Sequence, residues 1–218
     1  MEMVRHAIDR GVNYIDTAYP YHGYDFSKGG ASEPFVARAL KNGYREKVYL
    51  ATKLPCWLVE TREDMDRLLD EQLGRLETQS IDFYLLHALD KVSWKNMLEL
   101  GALDFLDRAI EAGKIRFAGF SFHDEIDLFR EIVDAYDWSF CQIQYNYMDE
   151  EYQAGKEGLA YAAARGLAVV AMEPLRGGTL VQGLPPDARK AFEQAHPDRT
   201  VVDWALHWLW KDPRVTMV

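Results

Sequence analysis

Ile81-Asp82-Phe83-Tyr84-Leu85-Leu86-His87 is a short apolar run that ends on an imidazole. Two earlier stretches have the same form. Val12-Asn13-Tyr14-Ile15 runs into Asp16, with Tyr21 five residues later, and Lys47-Val48-Tyr49-Leu50-Ala51-Thr52 runs into Lys53. Each run has the length and the β-branched and aromatic content of a strand, and each closes on a group that can hold or move a proton. Parallel β/α barrels gather their chemistry at the C-terminal ends of successive strands. The three endings therefore predict one rim that carries Asp16, Tyr21, Lys53 and His87.

The rest of the chain alternates in the same way. Residues 3–9 read as a helix closed by Gly11, and 12–15 as a strand. A helix is expected over 32–40, with Ser32 as a candidate cap, then a strand over 48–52. Residues 61–76 form the clearest helix: Thr61 can cap it with Asp64, and Met65, Leu68, Leu69, Leu73 and Leu76 make an apolar stripe. Further strands are expected at 81–86, 115–120, 140–145, 167–171 and 215–218, with helices at 103–112, 124–135, 158–165 and 201–210. Strict alternation with near-continuous apolar strands predicts an α/β fold of the (β/α)8 TIM-barrel type, as a single domain over 1–218. Seven strands are read where a closed barrel needs eight. The expectation is a barrel cut at both ends, lacking its first strand and its closing helix, with open edges through which copies self-associate.

Composition narrows the partners. The 218 residues are 48% apolar with a net charge of −10. An acidic chain is repelled by phosphate backbones and anionic lipid surfaces, so neither nucleic acid nor membrane is expected. No apolar run reaches the ~18 residues of a membrane span, and Met1-Glu2-Met3-Val4-Arg5-His6 has no signal-peptide core. Cys56 and Cys141 form no C-x-x-C pair and read as two buried, reduced thiols of a cytoplasmic protein, with Cys56 close enough to Lys53 to reach the rim. No metal site is read.

The four rim residues suit one reaction. A free phenol, with a pKa of about 10, exchanges its proton poorly at neutral pH. An ammonium beside it stabilises the phenolate, a carboxylate holds that ammonium in place, and a neutral imidazole can orient a carbonyl oxygen. Tyr21, Lys53, Asp16 and His87 fill these roles. A Schiff-base lyase using Lys53 would not need the Asp16–Tyr21 spacing. A metal hydrolase would draw on His87, His22, His123 and Asp16, without a His-x-His pair. A barrel remnant that only binds nucleotide is the non-catalytic alternative.

Asn13-Tyr14-Ile15-Asp16-Thr17-Ala18-x-x-Tyr21, Ala51-Thr52-Lys53 and Ile81-Asp82-Phe83-Tyr84-Leu85-Leu86-His87 together resemble the three catalytic motifs of the aldo-keto reductases, in order and spacing. The resemblance extends over essentially the whole chain. Gly119-Phe120-Ser121 and Cys141-Gln142-Ile143-Gln144-Tyr145-Asn146 are similar to segments whose Ser and Gln contact the nicotinamide amide, which implies cofactor roles for Ser121 and Gln142. Met172 stands where many members stack an aromatic on the nicotinamide, and Phe122 where many have Asn. Glu173-Pro174-Leu175-Arg176-Gly177-Gly178 resembles the loop near the pyrophosphate, which implies roles for Pro174, Leu175, Arg176 and Gly178. The wording is similar to bacterial and archaeal members that often carry a C-terminal ferredoxin-like iron–sulfur domain, for which two cysteines are too few. The resemblance implies NADP, with NAD as the alternative, a small-molecule carbonyl substrate, and a second phosphate loop beyond Val218. The loop 88–97 is expected to face substrate, with Trp57 and Trp94 as candidate walls, and Trp204, Trp208 and Trp210 to pack their helix.

Overall fold

In a computed structural model that describes all 218 residues, the alternating pattern becomes six strands and ten α-helices. The chain divides into two compact units, Met1–Ser121 and Phe122–Val218.

The first unit holds α1 (Glu2–Asp9), β1 (Tyr14–Asp16), α2 (Ser32–Ala39), β2 (Tyr49–Leu54), α3 (Arg62–Arg75), β3 (Ile81–Leu89), α4 (Lys91–Glu99), α5 (Ala102–Glu111) and β4 (Ile115–Phe122), which ends on the first residue of the second unit. The strands lie in chain order, and the β1–β2 and β2–β3 pairs are parallel, with Asp16 opposite Ala51 and Lys53 opposite Leu85. Chain order follows from the helical crossovers, which return each strand beside the previous one. Leu50 to Leu54 of β2 are all buried, as expected of an inner strand covered on both faces.

Helix α3 starts where the sequence predicts. The Asp64 carboxylate accepts from the Thr61 N–H (2.9 Å) and hydroxyl (3.0 Å), satisfying donors that the helix cannot. Its buried face is Met65, Leu68, Leu69 and Gln72. The stripe therefore runs through a glutamine where Leu73 was expected. At α2 the expected cap is displaced: Ser32 lies inside the first turn, and its hydroxyl bonds Thr17 Oγ1 at 2.8 Å. The expected loop over 88–97 is mostly helix α4, capped by Asp90, whose carboxylate accepts from the Val92 and Ser93 N–H groups. Trp94 is buried on that helix and walls no open site.

The second unit holds α6 (Ile126–Ala135), β5 (Phe140–Gln144), α7 (Gly155–Ala164), β6 (Ala168–Met172), α8 (Thr179–Gln182), α9 (Pro186–Ala195) and α10 (Val201–Trp210). β5 and β6 pair in parallel from Phe140↔Ala168 to Gln144↔Met172. The strand expected over 215–218 shrinks to one bridge, Val170↔Met217, with Thr216 N–H and Ala171 N–H each bonded across it at 2.9 Å. Helices α8 and α9 are absent from the sequence expectation. Trp204 stacks on Phe192 and Trp208 packs against Tyr145, as expected of packing residues, whereas Trp210 is exposed. No helix is long and apolar enough to cross a membrane.

Candidate active site

Three strand ends and one loop of the first unit build the site. β1 ends on Asp16, β2 carries Lys53 one residue from its end, and β3 carries His87 near its end. Tyr21 stands on the loop between β1 and α2. That loop is fixed by its own backbone: Tyr21 N–H bonds Ala18 O at 3.1 Å, Ser32 N–H bonds Tyr21 O at 3.1 Å, and Gly30 N–H bonds Tyr19 O at 2.7 Å. Gly30 is required there, because a Cβ would lie 2.6 Å from Pro20 O and closer still to Tyr21 O.

The Lys53 side chain is buried, and its Nζ has four oxygens around it. Asp16 Oδ2 and Oδ1 lie at 2.7 and 2.9 Å, Thr17 O at 2.9 Å and the Tyr21 hydroxyl at 3.4 Å. Three N–H bonds thus find a carboxylate, a carbonyl and a phenol. Tyr21 is 39% exposed, so its phenol can meet a ligand. The His87 ring is buried and meets Tyr21 edge-on at 5.9 Å between ring centres. Trp57, half-exposed, tilts over His87 at 5.2 Å and donates from Nε1 to Phe26 O at 2.9 Å. Trp57 thus stands at the site, as the sequence allowed.

Ser121 is buried, and its Oγ accepts from Ala88 N–H at 2.7 Å, leaving its O–H able to donate. Ala88 directly follows His87 and has a positive φ of 54°. Ser121 therefore also braces the strained backbone that carries the imidazole. Cys56 lies beside the His87 backbone but is not open to the rim. It is buried, its thiol faces Leu54 O at 3.4 Å, and burial pushes its pKa up to about 12. Cys141 is likewise a buried free thiol. No group of three or more His, Cys, Asp or Glu is spaced to hold a metal ion.

The second unit places the remaining predicted residues. Gln142, on β5, is buried with its Oε1 lacking a hydrogen-bond partner. Met172 closes β6, and Glu173 to Gly178 form a tight turn in which Glu173, Arg176, Gly177 and Gly178 all have positive φ. Asn146 Nδ2 holds Glu173 O at 3.0 Å, and Arg176 Nε lies 3.4 Å from the buried Asp149 carboxylate. Pro174 and Leu175 are half-buried in that turn. Phe122 packs into the core against Phe129.

Two polar residues behind the first-unit site escaped the sequence reading. Gln72 and Glu33 are both fully buried. The available signal for Gln72 was a polar residue at a core position of the α3 stripe.

A profile described as the aldo/keto reductase family matches residues 1–218. The uncharacterized oxidoreductase YrpG of Bacillus subtilis is 30% identical over 191 residues, 80% of this chain and 56% of that protein. The 6-dehydroglucose reductase of Novosphingobium aromaticivorans is 33% identical over 127 residues, 55% of this chain and 40% of that protein. A solved aldo/keto reductase of Klebsiella pneumoniae, in complex with NADP and acetate, superposes with a TM-score of 0.79 at 25% identity, covering 100% of this chain and 72% of that one. The chain spans about half the length of the curated relatives it matches. The superposition establishes the parallel β/α barrel type of fold, and the match over all 218 residues places this chain in the aldo/keto reductase family.

Proposed function

We propose that this chain carries the catalytic centre of a nicotinamide-dependent reductase that converts an aldehyde or ketone to an alcohol. The observation that carries the reading is the Lys53 ammonium position, bonded to Asp16 and Thr17 and directed at the Tyr21 hydroxyl. Tyr21 would hand its proton to the carbonyl oxygen as negative charge develops there. Lys53 stabilises the phenolate left behind, Asp16 keeps Lys53 in place, and His87 orients the carbonyl by hydrogen bonding. Trp57 forms an apolar wall beside His87.

NADPH is the proposed cofactor, in line with the Klebsiella complex and with a Schizosaccharomyces pombe relative named for NADP(+). Bound NADPH supplies the hydride. The residues present suit it. The orphaned Gln142 Oε1 is an acceptor of the kind a carboxamide N–H2 uses, and Ser121 retains a donor. Met172 would pack against the nicotinamide ring, and the turn Pro174, Leu175, Arg176 and Gly178 would approach the pyrophosphate with Arg176 as its charge. A Schiff-base lyase is disfavoured because attack needs a free amine lone pair, while Lys53 Nζ is engaged by Asp16, Thr17 and Tyr21.

The test is NADPH titration by fluorescence, followed by reduction of an aldehyde and ketone panel by the wild type and Tyr21→Phe. Loss of ~10²–10⁴-fold in the variant is expected, the range for a general acid. Equal rates in the two proteins would sink the reading.

A further inference from the structure

β1 and β2 end out of step. β1 stops at Asp16, and Thr17 N–H makes the last bond on that side, to Ala51 O at 3.0 Å. Carbonyls alternate sides along a strand, so the next one facing β1 is Lys53 O, beyond the end of its neighbour. A buried carbonyl needs a partner from elsewhere. Gln72, on α3, supplies it: its Nε2 donates to Lys53 O at 2.9 Å.

The amide can adopt one orientation only. Gln72 Nε2 also lies 2.9 Å from Glu33 Oε1 and 3.2 Å from Thr52 Oγ1, while its Oε1 accepts from the Tyr84 hydroxyl at 2.7 Å. A flipped amide would set its oxygen against Lys53 O and the Glu33 carboxylate. Glu33 is held in turn by the Thr52 hydroxyl at 2.8 Å and Arg75 Nε at 2.7 Å. Arg75 also donates to Gly30 O, on the loop that carries Tyr21. Ser32, next to Glu33, bonds Tyr21 O and Thr17 Oγ1. One buried cluster therefore grips both the strand end that bears Lys53 and the loop that bears Tyr21.

We propose that Gln72, locked by Glu33 and Tyr84, is a positioning residue that sets the Lys53–Tyr21 separation. The inference rests on the reductase reading above. At 3.4 Å the Tyr21 contact is the longest of the four at Lys53 Nζ, so it is the first to fail when the strand end slips. Gln72 touches neither Nζ nor the phenol; it acts through the Lys53 backbone.

Gln72→Leu keeps the bulk and removes both amide functions. It is expected to lower kcat by ~10–100-fold, the scale of a small misplacement, with KM for NADPH and carbonyl within about twofold. Amide hydrogen exchange should quicken in 14–22 and 50–54. Tyr84→Phe removes only the donor to Gln72 Oε1. It should shift the same readouts less, by ~3–10-fold in kcat, and it carries the test if Gln72→Leu does not fold. A lower Tm with kcat and local exchange unchanged makes Gln72 merely structural and overturns the proposal. If the wild type reduces no carbonyl, the reductase reading fails alone; unchanged exchange in both variants would then remove the clamp as well.

Discussion

Lys53 Nζ lies 2.7 Å from Asp16 Oδ2, although the two residues are 37 apart in sequence. Adjacent parallel strands bring them together, because each strand ends at the same rim. The pair leaves the ammonium buried and the carboxylate partly wet, with side-chain exposures of 2% and 28%. Asp16→Asn should cost roughly 1–3 kcal/mol, less than a fully buried pair, because water reaches Asp16. Reduction should fall at the same time, and denaturant melts combined with rates would show both effects.

Ser121 and Ala88 form a second long-range link. Ser121→Ala strands the Ala88 N–H, an expected loss of about 1–3 kcal/mol. The His87 backbone should loosen with it. Chemical denaturation measures the first effect, and a raised KM for the carbonyl reports the second. An unchanged midpoint with an unchanged KM would deny Ser121 its bracing role.

Gly30 lies under the Tyr21 loop. Gly30→Ala puts a methyl against the Pro20 and Tyr21 carbonyls, so the loop must move. The expected cost is ~1–3 kcal/mol, as for other overpacking. Activity should drop with little change in NADPH affinity. A crystal structure of the variant with Tyr21 unmoved would contradict this.

Gln142 predicts a trade of stability against binding. Its orphaned Oε1 is an uncompensated buried acceptor. Gln142→Leu should leave stability unchanged or raise it by up to about 1 kcal/mol, while nucleotide binding weakens ~10-fold. A destabilised variant that binds NADPH normally would assign Gln142 to the core alone.

Acid should weaken the start of α3. The Arg67 guanidinium, followed by the Thr61 N–H and hydroxyl, holds the Asp64 carboxyl well below the usual carboxylate range. A depressed folded pKa stabilises fully above the unfolded value of about 4, and that contribution disappears as pH falls through the lower folded value. Wild type should therefore exceed Asp64→Asn in Tm at pH 7, and the gap should narrow below about pH 4. A gap independent of pH would mean that the carboxylate charge plays no part.

What the sequence by itself determined was local. Six of the seven strand periods, the Thr61–Asp64 cap, and Asp16, Lys53 and His87 at strand ends with Tyr21 on the loop after the first are set by neighbours a few residues apart, and they reappear where they were expected. Helix 201–210 is recovered to the residue, because its apolar content is a local signal too. Ser32 misled because a hydroxyl at a helix start can turn to a distant partner, here Thr17. The 88–97 segment misled because α4 is short and is joined to α5 by only Leu100 and the left-handed Gly101. Only the tertiary structure decided which polar groups are buried together. Gln72 sits at a core position of the α3 stripe, but its partner appears only where β1 ends short of β2 and leaves Lys53 O without a ladder partner, and Glu33 reads as a surface residue until α2 sets it against Thr52 and Arg75. Burial of a polar side chain depends on partners far along the chain, which no local period encodes.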